Sequence, residues 1–283
     1  MSSRNRIPPA LEPYLRLPPE TSQILLTGTL GCSIDWLTTR FVGALLAAEG
    51  STSTTRDAVG GVEGAGDTRE TAVILASWMR NESFWRSELR RTCGLDLTKN
   101  KDLQARYTFL DQLHRPHAPA ELERSVQAAV ATAASQSGPR PVILVLDNPD
   151  VLLALGLASA QELSTTLLKL RSMVHATIVT CAADTPLLAA AVGGEGVPTP
   201  LQAESAAFAV QQGHGADFVV SARELETGAA RDVSGVLRVT RGGAAFAREE
   251  EEDSAEEVRE MEALYLVQRD GNVKVFERGA ASE

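Results

Sequence analysis

Cysteine, aromatic residues and long apolar runs are all scarce in this chain, and each shortage excludes something. The three cysteines among 283 residues, Cys32, Cys93 and Cys181, lie far apart and form no CxxC pair. Such spacing excludes a disulfide framework or a thiolate zinc site and fits a reducing compartment. Basic residues number 27 against 37 acids, for a formal net charge of −10. Seven of the acids crowd into Glu249–Glu257, which leaves the rest of the chain at about −3. A protein that grips nucleic acid alone is usually basic, so unaided nucleic-acid binding is disfavoured. No stretch is apolar enough to span a membrane, and the proline-rich start MSSRNRIPPALEPYLRLPPE lacks the core of a signal peptide. These absences predict a soluble, intracellular protein with no membrane partner.

What is present predicts one large α/β domain. Hydrophobic residues make up 43 % of the chain, an ordinary share that can bury a substantial core. Residues 1–20 read as an extended lead-in, because five prolines between Pro8 and Pro19 oppose a helix. The domain then occupies 21–283, with flexible inserts at about 50–68 and 242–260. The first insert is rich in glycine, serine and threonine, and the second holds the acidic run. Apolar segments at Ile24–Thr27, Thr71–Ser77, Pro141–Asp147 and Ala176–Cys181 read as buried strands. Helical stretches at Ile34–Ala48, Asn81–Cys93, Ala120–Ser135 and Ser159–Met173 alternate with them, and Arg106–Leu110 reads as a short strand. Solidly apolar strands alternating with helices predict a mainly parallel sheet covered on both faces. The last third changes to Asp217–Ser221, Val233–Thr240, Ala263–Gln268 and Val273–Phe276, strands with little room for helices between them. Asp270-Gly271 marks a hairpin, so the C-terminal end is predicted to be antiparallel. A parallel core finished by antiparallel strands is the layout of RecA-like domains.

The most informative motif is a phosphate loop in the right place with the wrong residues. Ile24–Thr27 runs into Gly28-Thr29-Leu30-Gly31-Cys32-Ser33 and then into a helix. A working loop reads GxxxxGK[ST], since backbone N–H groups wrap the phosphates, lysine neutralises them and a hydroxyl holds Mg²⁺. Counted from Gly28, the second glycine falls on Ser33, the lysine on Ile34 and the hydroxyl on Asp35. Gly28, Gly31 and Ser33 are therefore candidates for a degenerate nucleotide site only. Asp147, the acid that ends VILVLD, is its second candidate, since an acid there can touch Mg²⁺ through water. The plainer and favoured reading of Asp147 is a cap on the following turn, Asn148-Pro149-Asp150. Asp150 and Asp184 also end or follow strands, where ligands bind in open α/β sheets, but nothing marks either as a general base.

Other chemistry finds little support. His114 and His117 flank a proline without an acid or thiol cluster, so they read as loop surface rather than metal ligands. His175 and His214 read as structural or exposed, and no GxSxG marks a serine nucleophile. Cys32 lies near a helix N-terminus and reads as a small packed residue. No catalytic residue and no metal ligand are assigned. Arg223, Arg231, Arg238 and Arg241 flank the late strands, on loops where RecA-like proteins put nucleic-acid contacts, and a plain surface role is equally open for each.

Taken in order, GTLGCSIDWLTTRF, VILVLDNPDVLLALG, ATIVTCAAD, GADFVVSARELETGAARDVSGVLRVTRG and EALYLVQRDGNVKVFERG resemble the sixth subunit of the Elongator complex over roughly residues 20–278. An aspartate followed closely by V-L-L-x-L-G, here Asp150 to Gly156, is the most characteristic piece. The resemblance implies a RecA-like fold without standard ATP motifs, in a heterohexameric ring with the fourth and fifth subunits. It implies that the ring binds tRNA, serves the catalytic Elongator subcomplex in wobble-uridine modification, and works in the cytoplasm with a possible nuclear share. Position in such a fold makes Arg223 and Arg231, after the Asp217–Ser221 strand, the candidate tRNA contacts, with Asp184–Pro200 a weaker second segment because it holds no Lys or Arg. The chain itself would need no cofactor and would not be an enzyme, any ATP being handled by the assembled ring. Two alternatives remain at this stage: a RecA-like recombination mediator, or a ring ATPase with a divergent loop.

Overall fold

The structure is a computed structural model that describes residues 7–47, 70–137, 140–193, 196–228, 230, 232–249 and 259–277. Six strands run parallel: β1 (Ser22–Gly28), β2 (Ala72–Ser77), β3 (Tyr107–Asp111), β4 (Val142–Asp147), β5 (Ala176–Ala182) and β6 (Phe218–Arg223). Three antiparallel strands follow, β7 (Gly235–Arg241), β8 (Met261–Val267) and β9 (Val273–Glu277). All nine form one sheet in the order β3-β2-β4-β5-β1-β6-β7-β8-β9. Among the described residues the fold is thus α/β, with a mixed sheet that is parallel for its first six strands and antiparallel at its C-terminal end.

The central strands are buried along nearly their whole length because both faces are covered. Alternate side chains of one strand enter opposite layers. Ile24 and Leu26 of β1 and Ile143 and Val145 of β4 enter one cluster, with Leu37 and Phe41 of α1 (Asp35–Ala47). Trp85 and Leu89 belong to the same cluster; they come from α2 (Glu82–Glu88) and the π-helical turn Leu89–Cys93 that continues it. Leu25 of β1 and Leu144 and Leu146 of β4 enter the other cluster, beneath α4 (Pro119–Ser137), α6 (Ala160–Arg171) and α8 (Pro200–Gly215). Each fully buried leucine contributes about 1.5–3 kcal/mol of transfer free energy, so the two layers dominate stability. Leu163, Leu167 and Leu170, a stripe at helical spacing, are buried in this second layer and are core rather than interface. No helix among the described residues is long and apolar enough to cross a membrane.

Three elements differ from the sequence reading. The lead-in is not simply extended: Glu12–Leu15 forms a 3₁₀ turn with Pro13 in its first turn, where the missing N–H costs nothing, and Leu11 and Leu15 are buried in the first layer. Between β5 and β6, where no helix was expected, lie α7 (Thr185–Leu188) and the sixteen-residue α8. Its signal was present: Thr199 and Gln202 form a capping box with proline at the first turn. The second expected insert is partly helical, as α9 (Gly243–Glu249), while 250–258 and the whole 50–68 insert lie outside the described residues. The short helices α3 (Lys101–Arg106) and α5 (Val151–Ala154) complete the set.

The fold positions its candidate site by connectivity. The chain leaving β1 turns onto one face to form α1, while the chain leaving β4 and β5 turns onto the other to form α6 and α8. The loops at the carboxyl ends of these strands diverge there, which is where open α/β sheets bind ligands.

Candidate functional site

At the end of β1 the chain makes a tight turn in place of a wide loop. The ladder holds to the last residue of the strand, with the Thr29 amide donating to the Ala222 carbonyl at 3.3 Å and the Ala183 amide donating to the Gly28 carbonyl at 2.8 Å. The Cys32 amide then donates back to the Thr29 carbonyl at 2.8 Å, closing Thr29-Leu30-Gly31-Cys32. Gly31 supplies the φ of +89° that the third position of such a turn requires. The Leu30 amide donates to Asp184 Oδ1 at 2.7 Å. Three amides of the loop are therefore committed, and a backbone cradle for phosphate is not formed.

The surrounding charges point the same way. A methyl group at Gly31 would meet the Glu224 carboxylate, which lies over the turn. Ser33 accepts from the Asp35 amide at 3.2 Å, so its hydroxyl faces the start of α1. Asp35 stands where the loop's hydroxyl residue would be, and its carboxylate pairs with Arg80 at 2.9 Å. Arg80 also lies 5.0 Å over the Phe84 ring. Asp184, Glu224 and Asp35 make the turn acidic, and no lysine faces it among its named partners. The residues present do not fit a nucleoside triphosphate held in the standard way.

Asp147 is fully buried at the end of β4. Ser77 Oγ donates to its Oδ2 at 2.6 Å, and Thr180 Oγ1 lies 3.2 Å from its Oδ1. These partners come from the neighbouring strands β2 and β5, so the carboxyl ties three strands together rather than capping the turn that follows it. The capping reading is thereby corrected: strand pairing puts Ser77 opposite Asp147, and sequence distance hid that pairing. Burial pushes the Asp147 carboxyl up to about 7; the Asp35 charge adds to the rise, and the Ser77 and Thr180 hydroxyls and Arg80 oppose it. Asp150 is raised to about 6, again by burial, although Asp150 Oδ2 accepts from the Ala182 amide at 3.0 Å. Between them Asn148 takes a left-handed φ of 58°, and its amide donates to Thr180 Oγ1 at 2.8 Å. Among the described residues no group of three or more His, Cys, Asp or Glu could hold a metal ion.

The other candidates fall apart in space. Arg223 ends β6 with its guanidinium near two carboxylates, Glu226 at 3.8 Å and Glu262 at 3.7 Å. Arg231 lies outside the described residues. His114 pairs with Asp111 at 2.7 Å in an exposed loop, His117 lies 3.1 Å from the Gln112 amide nitrogen, and His175 reaches the Pro18 carbonyl at 2.9 Å. Cys32 is buried, its thiol donating to the Ser234 carbonyl at 3.5 Å. Of the V-L-L-x-L-G block, Leu152 and Leu153 are core, whereas Leu155 is exposed, as is Leu157 just after it.

Sequence reasoning missed Ser77, Thr180, Arg80 and Glu224. Glu224 follows a strand directly and was legible as an acid at the carboxyl edge; the other three are assigned only by strand register. No family model matches this chain, and no curated protein matches it.

Proposed function

We propose that this chain is a non-catalytic, RecA-like subunit of a heterohexameric ring that binds tRNA and supports wobble-uridine modification, in the position of the sixth Elongator subunit. The observation that carries this reading is the combination of sheet order and closed loop. The order β3-β2-β4-β5-β1-β6, extended by an antiparallel β7-β8-β9, supports a RecA-like core. The loop that should bind phosphate in such a core is a tight, acid-flanked turn, which supports an assembly role in place of unaided ATP chemistry.

RNA contact in this reading is built by the ring and not by this chain alone. With Arg223 set between two acids, the positive charge that phosphates need comes from loops of several subunits together. Native mass spectrometry of the chain co-expressed with the fourth and fifth Elongator subunits tests the proposal. Two copies of each subunit are the expected mass. A chain that stays monomeric beside both siblings overturns it.

A further inference from the structure

Between α6 and α8, at the amino end of β1, lies an open-sided cavity of about 280 Å³. Its polar walls are Gln23, Gln161, Ser164, Thr165, Gln211 and Gln212. Gln23 and Gln212, at its inner wall, are only 5 % and 4 % exposed. The degenerate phosphate loop leaves the other end of β1. From Gln23 to Gly28 the strand runs five residues, about 17 Å at the usual rise, so the cavity is distinct from that loop.

The inner wall is fixed by hydrogen bonds between three elements. Gln23 Nε2 of β1 donates to the Gln212 backbone carbonyl at 3.3 Å and to Gln212 Oε1 at 3.2 Å. Gln212 Nε2 of α8 donates in turn to Ser164 Oγ of α6 at 3.1 Å. Both amide orientations follow from these partners, because a backbone carbonyl only accepts. Arg171 of α6 donates to the carbonyls of Thr21 and Gly215, the latter at 2.9 Å, and so ties the same three parts together. This arrangement leaves Gln23 Oε1 and one N–H of Gln212 without a partner among the described residues, and the Ser164 hydroxyl donates to none of them. Gln23 Oε1 is not sealed inside the protein, so it opens onto the cavity that its side chain lines. An amide in so buried a side chain needs a hydrogen-bonding guest.

The lining decides the class of that guest. Arg171 is the one charged residue among those that line the cavity, and it is engaged by carbonyls. A cation therefore finds no carboxylate, and an anion meets the Gln23 oxygen, so a neutral guest fits best. No aromatic side chain lines the cavity to stack a planar base. Every amide and hydroxyl of the wall can both donate and accept, which matches a guest carrying hydroxyls on all sides. Leu167 and Leu168, the latter 66 % exposed, add an apolar wall for its C–H groups. The volume lies at the small end for ligand sites, enough for a single ring. We propose that this cavity binds a small neutral polyol of monosaccharide size, held by Gln23, Gln212 and Ser164. The site is independent of the ring reading and goes beyond it.

A nitrogen-15 NMR titration of the full chain with glucose, myo-inositol and glycerol tests it, read at the side-chain NH₂ signals of Gln23 and Gln212. At least one polyol should give saturable shifts there, with Kd of about 1–10 mM. Acetate, tetramethylammonium and uridine at the same concentrations should leave those signals in place. Thr165→Phe alters an exposed position of α6 and fills the cavity mouth, and it should abolish the shifts while Tm stays unchanged. Gln212→Met keeps the volume and removes the amide, and it should weaken binding at least tenfold, with circular dichroism verifying the fold. If no polyol gives a saturable shift, water alone fills the cavity and the proposal fails. Shifts that persist in both variants place the polyol elsewhere and also overturn it. Tighter binding of acetate or uridine than of any polyol overturns the ligand class. None of these readouts involves the sibling subunits, so the ring reading stands or falls separately.

Discussion

Replacing Asp147 by asparagine removes a titratable carboxyl that the fold holds out of water. An unfolded aspartate titrates near 3.9, whereas burial raises the folded group to about 7. Below about pH 4 both states are protonated, and the contribution of the neutral group to stability is fully present. Between the two values the folded chain keeps a proton that the unfolded chain has released. Stability therefore falls as pH rises, by up to about 1.4 kcal/mol per unit, until the folded carboxyl ionises. Integrated from pH 5 to pH 8, the wild-type chain should lose about 2–3 kcal/mol relative to Asp147→Asn. Asparagine has its own cost. Its oxygen accepts from one hydroxyl, but its NH₂ faces the other, which forfeits about 1 kcal/mol. That cost is independent of pH, so the slope of the difference isolates the carboxyl. Urea unfolding of both proteins at pH 5, 6, 7 and 8 measures it, and the gap in unfolding free energy should open by about 2–3 kcal/mol over that range. A difference that stays constant with pH, or one that moves against the variant as pH rises, would refute the reasoning.

Three further outcomes follow from other parts of the fold. Arg40, buried in α1, donates to the Thr92 carbonyl at 2.8 Å and the Gly271 carbonyl at 3.0 Å; Arg40→Met should cost about 2–4 kcal/mol and speed amide exchange in β9, and unchanged exchange there would show that the clamp is dispensable. Gly31→Ala should cost about 1–2 kcal/mol, since φ of +89° is strained for alanine while the Glu224 side chain can move aside; an unchanged urea midpoint would contradict the turn geometry. Replacing 48–69 by a short glycine–serine linker should shift Tm by no more than a few degrees, because Arg106 donates to the carbonyls of Leu46 and Thr71 and the Thr71 hydroxyl donates to the Leu45 carbonyl, holding both ends. Loss of cooperative unfolding would assign that segment a part in the core.

Much of the architecture was legible from the chain because its cause is local. VILVLD at Val142–Asp147 and ATIVTC at Ala176–Cys181 are mostly apolar and buried at every position, and only a strand covered on both faces can bury them so completely. The hairpin at Asp270-Gly271 and the cap at Ser159 carry their own turn and hydrogen-bond chemistry. The failed phosphate loop was equally visible, since the identities at Ser33, Ile34 and Asp35 suffice to reject a lysine-based cradle.

The rest needed strands to be set side by side. Strand order and register bring Ser77 and Thr180, 70 and 33 positions away in sequence, onto the Asp147 carboxyl, and that enclosure raises its proton affinity and makes it a tie between strands. Register likewise brings Asp184 to the Leu30 amide and Glu224 over Gly31, closing and acidifying the turn. Sequence alone determined which segments are buried and that the loop lacks its lysine, because patterning and residue identity act over a few positions. Tertiary structure alone decided which distant groups share one edge, because burial, charge and exposure are properties of neighbours in space.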